Sequence, residues 1–395
     1  MPRLMPDLGR NVVSAHRTMH SRQLGADFVS RGLVHRCRVH RLIHGLFSCS
    51  FLSVFLKHAA GHDNRARLPE AYYNLQIAFC TNFMSKTAFL FPGQGSQYAG
   101  MGKSLAGAYP DAARIFEEAD AALGFPISRL CFEGPEDQLK LTENTQPALL
   151  TVSFAAYTVL KSKGLTPDYV AGHSLGEYSA LVAAGSLDFA DAVRLVRNRG
   201  RYIQVAVPAG VGAMAALLKL PEERLDGVLA EAAQGEVVTA ANLNSPDQIV
   251  IAGHAAAVQR AMELAKAAGA RRAVLLPVSA PFHCPLMKPA QERLRSDLDA
   301  TEFRDLAVPL VNNWQAREIR TGVEAREGLY QQVPSPVRWA DTIRRLVDAG
   351  VTRFIEVGAG GVLTGLLRNI DPAVTGAKFG EAADWDQTAK VFQQG

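Results

Sequence analysis

Long hydrophobic runs and paired cysteines are both missing from this sequence of 395 residues, of which 48% are hydrophobic and 20% are charged. No apolar run reaches the roughly 18 residues that a membrane-spanning helix needs, so we expect no membrane segment. The five cysteines lie at positions 37, 49, 80, 131 and 284, without the short spacings of a metal site or a disulfide framework. We therefore expect no metal and a reducing compartment such as the cytoplasm.

A complete phosphate-binding glycine loop is also missing, although two turns come close to one. The first, LFPGQGSQYAGMGKS at 90–104, ends in the GKS of a P-loop, but Gln97 stands where that loop needs a glycine. A dinucleotide fingerprint in the same turn fails at Tyr98, and a later glycine turn at 358–361 fails at Leu363. The sequence therefore predicts no nucleotide cofactor, and these glycines need another explanation.

The basic residues are unevenly distributed along the chain. Residues 1–83 contain eleven basic and four acidic residues, whereas residues 84–395 contain 31 basic and 34 acidic ones. The larger part is mildly acidic, so we expect no general nucleic-acid-binding surface. We interpret 1–83 as a disordered leader or as a start assigned too far upstream of Met84. Its arginine-rich, acid-poor composition also fits a transit peptide, which would place the protein in an organelle.

From residue 84 onward, helical and strand patterns alternate, which predicts an α/β fold with a mainly parallel sheet. Strands are predicted at 87–91, 168–172 and 353–357, and helices at 146–163, 175–184 and 188–206. A βαββαβ series follows at 213–278, which is the order of a ferredoxin-like unit. We therefore predict a core at 84–208 and 280–395, with a ferredoxin-like insert at 209–279.

The stretch GHSLG at 172–176 fits the G-x-S-x-G pattern of a nucleophile elbow. The pattern alone is weak, but here a predicted strand ends at Gly172 and a predicted helix begins after Ser174. That sharp turn exposes a serine hydroxyl, and the helix start directs N–H groups and a positive dipole end toward it. The alternative is a serine that merely caps the helix.

A serine nucleophile needs a base and, for a charged substrate, a counter-charge. Beyond residue 84, His173 adjoins the serine but should point away, and His254 resembles a helix-cap residue. His283 lies in the apolar loop PVSAPFHCPLM and is the candidate base, although no acidic partner can be assigned to it. Arg199 falls on the apolar face of its helix, where it forms either an internal salt bridge or a clamp for a substrate carboxylate.

Six ordered motifs then resemble one family, and they span essentially all of 84–395. The motifs are FLFPGQGSQ, GHSLGEYSAL, RNRGRYIQ, PFHCPLM, NNW and EVG…GVLTGL. Together they resemble the malonyl-CoA:acyl carrier protein transacylases of fatty-acid synthesis. The resemblance implies an α/β-hydrolase-like core with an inserted ferredoxin-like subdomain, in agreement with the pattern above.

The resemblance also implies roles for particular residues. Ser174 would be the nucleophile and His283 the base, oriented by the backbone carbonyl of Gln332 rather than by a carboxylate. Arg199 would bind the malonyl carboxylate, and Phe282 resembles the malonyl-selective form of related acyltransferases. The backbone N–H groups of Gln94 and Leu175 would form the oxyanion hole. Gly93 and Gly95 would let that loop approach the thioester.

The implied activity is two-step transfer of a malonyl group from malonyl-CoA to the phosphopantetheine thiol of acyl carrier protein. We expect a cytoplasmic monomer without cofactors. Two departures from the family pattern, Cys284 after the histidine and the AGG turn at 359–361, do not touch this chemistry. The alternatives are a trans-acting polyketide acyltransferase, a serine esterase or thioesterase, and a non-catalytic carrier-binding module.

Overall fold

The computed structural model of the protein describes residues 85–278 and 280–393. These residues belong to one compact unit. The predictions made for residues 1–83 lie outside the described residues. None of the described helices is long and apolar enough to cross a bilayer.

The described residues form ten strands. They are β1 (Lys86–Phe91), β2 (Tyr169–Gly172), β3 (Gly212–Leu218), β4 (Val238–Ser245), β5 (Gln248–His254), β6 (Arg272–Leu275), β7 (Leu310–Val311), β8 (Glu318–Ile319), β9 (Val351–Val357) and β10 (Thr375–Phe379). Six of them form a central sheet in the order β10-β9-β1-β2-β7-β8, in which only β8 is antiparallel to its neighbour. The parallel-sheet core predicted from the alternating pattern is confirmed.

Fourteen α-helices accompany these strands in the same part of the chain. They are α1 (Lys103–Ala108), α2 (Pro110–Leu123), α3 (Ile127–Glu133), α4 (Glu136–Leu139), α5 (Thr142–Ser162), α6 (Leu175–Ala183), α7 (Phe189–Gln204), α8 (Leu225–Ala233), α9 (Ala255–Ala267), α10 (Lys288–Ala300), α11 (Gly322–Gln332), α12 (Trp339–Asp348), α13 (Val362–Ile370) and α14 (Trp385–Gln393). Three short 3₁₀ helices occupy Glu222–Arg224, Pro285–Met287 and Ala382–Asp384.

Helices cover both faces of the central sheet, which gives three layers. On one face the long helix α5 is buried along most of its length, and the main apolar cluster gathers around it, α6 and α7. On the other face, Trp339, Ile343 and Leu346 of α12 and Leu363 of α13 pack against the strands. Because both faces are covered, β1 is almost entirely buried and its sequence AFLF at 88–91 is apolar without alternation.

The remaining four strands form a separate antiparallel sheet in the order β4-β5-β3-β6. Helices α8 and α9 cover one of its faces with their own apolar cluster. The chain order of these elements is βαββαβ, as the sequence predicted. The sheet lies within the range 209–279 predicted for the insert, and the boundaries themselves stay a prediction.

Two elements differ from the sequence prediction for identifiable reasons. The helix predicted to start at Gln146 begins one turn earlier, at Thr142. Its first turn lies directly against Gly200 of α7, where an added Cβ would come within 2.7 Å of the Glu143 Cα, so packing extends the helix. The strand predicted to run to residue 278 ends at Leu275, shortly before Pro277, which has no N–H for the sheet.

Candidate active site

The candidate site lies where β1 and β2 end. Phe91 and Gly172, the last residues of these strands, are paired across the central sheet, so the loops that follow them start side by side. Ligands of open parallel sheets bind in the crevice beyond the carboxyl ends of the strands. A cavity of about 560 Å³ opens there, and its lining includes Gln94, Ser174, Arg199, Phe282 and His283.

Ser174 lies on a sharp turn between β2 and α6. Its φ of 51° and ψ of −106° fall outside the regions that L-residues favour. Glycines make this turn possible, because a Cβ on Gly172 would lie 1.9 Å from the backbone of Gly176. The Ser174 side chain makes no capping hydrogen bond to α6. The capping alternative therefore does not hold, and the hydroxyl is available for other contacts.

The buried side chain of Asn313 holds both sides of this turn. Its Oδ1 accepts a hydrogen bond from the Ser174 N–H at 2.7 Å, and its Nδ2 donates to the Gly172 carbonyl oxygen at 2.7 Å. Both backbone groups would otherwise lack a partner in a region away from water, which is costly. Asn313 therefore stabilises the strained backbone at Ser174.

The imidazole of His283 links the serine to a backbone carbonyl. Its Nε2 lies 2.7 Å from the Ser174 Oγ, and its Nδ1 lies 3.0 Å from the carbonyl oxygen of Gln332. A carbonyl oxygen only accepts, so Nδ1 carries the hydrogen and Nε2 can accept the serine proton. Burial, and after it the charge of Arg199, lowers the pKa of His283 to about 3. The ring is therefore neutral near pH 7.

Arg199 reaches the same hydroxyl from α7. Its side chain is 2% exposed, and its Nη2 donates to the Ser174 Oγ at 3.2 Å and to the Gln332 Oε1 at 3.0 Å. Its Nε has no partner. Arg194 and Arg201 on the outer face of α7 form ion pairs, but Arg199 forms none among the described residues. The internal salt bridge is therefore not found among these residues, and the Arg199 side chain is a buried cation that borders the cavity.

Gln94 and Leu175 both border the cavity that Ser174 lines. Within the part of the chain that the structure describes, neither backbone N–H donates a hydrogen bond. Leu175 is the first residue of α6, where the helix dipole adds positive potential. Two unused N–H groups beside a serine can stabilise the oxyanion of an acyl-transfer intermediate.

The glycine turn after β1 packs directly on the serine turn. A Cβ on Gly93 would lie 2.3 Å from the carbonyl oxygen of His173, so only glycine lets the loop pack on the serine turn. The approach of this loop to the thioester, which the resemblance implies for Gly93, stays a prediction. Gly95 borders the cavity and has a φ of 105°, which favours glycine.

Of the other residues singled out from the sequence, Phe282 lies at the site, and the two remaining histidines make other contacts. Phe282 borders the cavity and packs against the apolar clusters of both sheets. His173 turns away from the serine, with its Nε2 2.8 Å from the Asn244 Oδ1. His254 precedes α9 and accepts a hydrogen bond from the Val237 N–H. Among the described residues, no cluster of His, Cys, Asp or Glu could hold a metal ion.

Two residues that complete the site were not predicted from the sequence. Asn313 belongs to the NNW motif and Glu177 to the GHSLGEY motif, so both were within recognised segments. Glu177 accepts hydrogen bonds from the Asn313 N–H and from the side-chain amide of Gln332. Their contacts join segments more than 100 residues apart in sequence, and no local pattern signals such contacts.

Comparisons with known proteins identify the family of this chain. The family model for an acyl transferase domain matches residues 88–374. The chain is 52% identical over 289 residues to the malonyl CoA-acyl carrier protein transacylase of Bacillus subtilis (strain 168), which covers 73% of this chain and 91% of that protein. It is 48% identical over 299 residues to the protein of the same name from Escherichia coli (strain K12), and the match covers 75% of this chain and 97% of that protein.

Solved structures give the same result. The crystal structure of an acyl carrier protein S-malonyltransferase from Vibrio cholerae has a TM-score of 0.75 at 46% identity and covers 77% of this chain and 99% of that chain. A malonyl-transacylase in complex with a holo acyl-carrier protein of a type II PKS has a TM-score of 0.76 at 44% identity. The match covers 78% of this chain and 99% of that chain. The chain therefore belongs to the acyl transferase family of the malonyl CoA-acyl carrier protein transacylases.

Proposed function

We propose that this protein transfers the malonyl group of malonyl-CoA to the phosphopantetheine thiol of acyl carrier protein, through a malonyl ester of Ser174, and so supplies fatty-acid synthesis. One observation carries the choice of acyl group. The buried guanidinium of Arg199 lies beside the Ser174–His283 pair without an anionic partner among the described residues. A free carboxylate on the acyl group supplies that partner.

In the first half-reaction, Ser174 attacks the thioester carbonyl of malonyl-CoA. His283 accepts the hydroxyl proton at Nε2, while the Gln332 carbonyl holds the hydrogen at Nδ1 and fixes the ring. The N–H groups of Gln94 and Leu175 stabilise the oxyanion that develops on the carbonyl oxygen. The intermediate then collapses, CoA leaves as the thiol with the proton from His283, and the malonyl ester remains on Ser174.

The second half-reaction repeats these steps with a different thiol. The phosphopantetheine thiol of the carrier gives its proton to His283 and attacks the malonyl ester. Collapse of the second intermediate breaks the bond to Ser174, which recovers its proton from His283. The same groups act in both half-reactions, so the transfer needs no cofactor.

The charge of Arg199 couples the choice of substrate to the strength of the base. This charge is one of the causes that lower the pKa of His283. A malonyl carboxylate paired with Arg199 offsets it, so His283 becomes more basic once a malonyl group is in place. We assign Phe282, which borders the same cavity, to the wall that limits the size of the acyl group.

The contact at His283 Nδ1 favours this proposal over an esterase or thioesterase. The esterase alternative predicts an Asp or Glu at that nitrogen, whereas the atom in contact is the Gln332 carbonyl oxygen. A buried arginine beside the serine is also of no use for a neutral acyl ester. We further propose that the protein works as a monomer in the cytoplasm, with the ferredoxin-like insert at 209–279 as its small subdomain.

The substitution Arg199→Ala tests the proposal. Removing one partner of a buried, hydrogen-bonded charge pair costs about 2–5 kcal/mol, or roughly 30-fold to several-thousand-fold. Serine acylation by malonyl-CoA should lose that much kcat/KM. Acylation by acetyl-CoA should change little, since acetyl has no carboxylate to pair.

The decisive quantity is the malonyl-to-acetyl ratio of kcat/KM, because general damage to the fold cancels in it. Arg194→Ala is the matched control, since Arg194 lies on the same helix but pairs with Asp191 at the surface. This control should leave the ratio unchanged. An equal fall for both substrates in Arg199→Ala would make Arg199 a structural residue and remove the support for a malonyl substrate.

A further inference from the structure

Glu177 is a buried carboxylate that has no role in the chemistry proposed above. It is the third residue of α6 and is 1% exposed. It forms no ion pair with any of the residues that the structure describes. Burying an ionised carboxylate away from a cation is costly, so its presence one turn beyond the nucleophile needs an explanation.

The two oxygens of Glu177 have different surroundings. The Oε2 accepts hydrogen bonds from the Asn313 N–H at 3.0 Å and from the Gln332 Nε2 at 2.8 Å. The buried Oε1 has no hydrogen-bond partner. A proton can therefore be added at Oε1 without breaking either hydrogen bond at Oε2.

The side-chain amide of Gln332 connects Glu177 to Arg199. Its Nε2 faces acceptors only: the Glu177 Oε2, the Ser174 carbonyl oxygen at 3.1 Å and the Asn313 Oδ1 at 3.4 Å. The amide oxygen must then face the other way, where it accepts from the Arg199 Nη2 at 3.0 Å. One amide group thus separates the buried carboxylate from the buried guanidinium.

Binding of a malonyl group changes the charge balance of this pocket. Without an acyl group and with Glu177 ionised, the pocket holds the positive charge of Arg199 and the negative charge of Glu177. A malonyl carboxylate that pairs with Arg199 brings a second negative charge into the same region of low dielectric. Two carboxylates that share one site do not both stay ionised easily, and one of them tends to take a proton.

We propose that Glu177 takes up one proton from solvent at Oε1 when a malonyl carboxylate pairs with Arg199, and that it thereby determines how strongly the site accepts a charged acyl group. The proposal rests on the role proposed above for Arg199. It makes Glu177 a specificity-determining residue that acts through Gln332, because it touches neither the serine hydroxyl nor the acyl group.

The titration of the neighbouring groups is consistent with this. Burial raises the pKa of Glu177 to about 7, although Gln332, Asn313 and Arg199 act in the opposite direction. Among the residues that the structure describes, Arg199 on α7 is the charged group that acts on Glu177. The pKa of Tyr178 is raised and that of His283 is lowered, so both stay neutral between pH 6 and 8. Glu177 is thus the group of this cluster that changes charge in that range.

The test measures kcat/KM for serine acylation by malonyl-CoA and by acetyl-CoA from pH 6 to 8.5. Their ratio cancels the titration of the CoA phosphates, which both substrates share, and His283 stays neutral over this range because burial and the charge of Arg199 lower its pKa to about 3. In the wild-type protein the malonyl-to-acetyl ratio should fall about ten-fold as the pH rises and Glu177 ionises. A ten-fold change lies within the usual range of coupling between two sites.

The substitution Glu177→Gln removes the charge and leaves an oxygen to accept from Asn313 and Gln332. Its malonyl-to-acetyl ratio should not depend on pH and should exceed the wild-type ratio about ten-fold at pH 8.5, since Gln resembles protonated Glu. Glu143→Gln is the matched control, because Glu143 pairs with Arg201 at the outer face of the helices. That variant should keep the wild-type pH dependence.

Two results would overturn the proposal. A wild-type ratio that stays constant from pH 6 to 8.5 would do so whether or not Glu177→Gln folds. A pH dependence that survives in a folded Glu177→Gln would do so as well. If Arg199→Ala still loses its malonyl preference in either case, the proposed function stands and the role of Glu177 alone is removed.

Discussion

Ser174 keeps a backbone conformation that ordinarily costs on the order of 1–3 kcal/mol. Its φ of 51° aims the hydroxyl at His283 and Arg199 instead of at the helix that follows. The two hydrogen bonds of Asn313 on either side of the turn offset that cost. The reactive geometry therefore depends on a residue that touches neither substrate nor hydroxyl.

The substitution Asn313→Ala tests this support. It leaves the Ser174 N–H and the Gly172 carbonyl without partners, so the turn should relax and the hydroxyl should move. A displacement of about 1 Å at a reacting atom costs on the order of 100-fold in rate. We expect serine acylation by malonyl-CoA to slow by about that factor, with little change in the malonyl-to-acetyl ratio, because Arg199 remains. Stopped-flow acylation rates measure both quantities, and an unchanged rate would show that the turn does not need Asn313.

Individual residues of the site could be predicted from the sequence to different degrees. Ser174, His283 and Arg199 could be singled out because each stands in a local pattern: an elbow motif, an apolar loop, and the apolar face of a helix. Asn313 and Glu177 could not, because an asparagine in a turn and a glutamate near a helix start are ordinary locally. Their part in the site comes only from contacts across the fold.

At the scale of elements, the glycine turn after β9 leads into a helix start that a carboxylate of the protein occupies. The buried side chain of Glu356 occupies the start of α13, where its two oxygens accept from the Leu363 N–H at 3.0 Å and the Thr364 N–H at 2.8 Å. A helix start is a ready site for an anion, and here the protein supplies its own. The missing glycine at Leu363 argues against a nucleotide from the sequence alone, and the position of Glu356 adds an argument that no local pattern contains.

The substitution Glu356→Gln should weaken this part of the fold. An amide in place of the carboxylate turns an NH₂ group toward a backbone N–H, so a buried donor loses its acceptor. The expected cost is about 1–3 kcal/mol in the free energy of unfolding. Urea denaturation followed by circular dichroism measures this free energy. Glu302→Gln is the control, because it makes the same replacement at an exposed position. An unchanged denaturation midpoint for Glu356→Gln would show that α13 does not depend on this carboxylate.

Element boundaries followed the sequence except where tertiary packing decided them. The helix α7 occupies Phe189–Gln204, close to the predicted 188–206, because its apolar face and its Asp188 cap are both local signals. The early start of α5 at Thr142 depends on the close approach of Gly200. That contact involves a distant residue, so no window of sequence around Thr142 contains it.

At the scale of the whole molecule, the cavity belongs to both sheets. Met214 of β3 and Asn242 of β4 line it together with Ser174. Two backbone hydrogen bonds, each 2.9 Å long, hold the small sheet beside the site. The Leu243 N–H donates to the Val337 carbonyl, and the Val337 N–H donates to the Ala241 carbonyl. The sequence predicted a mainly parallel core and a ferredoxin-like insert, whereas the way in which the two sheets contact each other depends on hydrogen bonds of this kind.

A chain that begins at Met84 should fold and keep full transfer activity. The central strand β1 starts at Lys86, and the family model matches from residue 88. Soluble expression, the thermal unfolding midpoint and the rate of malonyl transfer, each compared with the full chain, measure the effect. Loss of soluble, active protein on this truncation would mean that residues before Met84 are needed for the fold or for activity.

The central claim is that Ser174 carries the malonyl group between the two thiols. Intact-mass spectrometry after incubation with malonyl-CoA tests it most directly. We predict that the wild-type protein gains the mass of one malonyl group, located on Ser174 by peptide mapping and discharged on addition of the holo carrier protein. His283→Ala should acquire it several orders of magnitude more slowly, as a serine does without its base, and Ser174→Ala should never acquire it. A covalent malonyl adduct on Ser174→Ala would contradict the account.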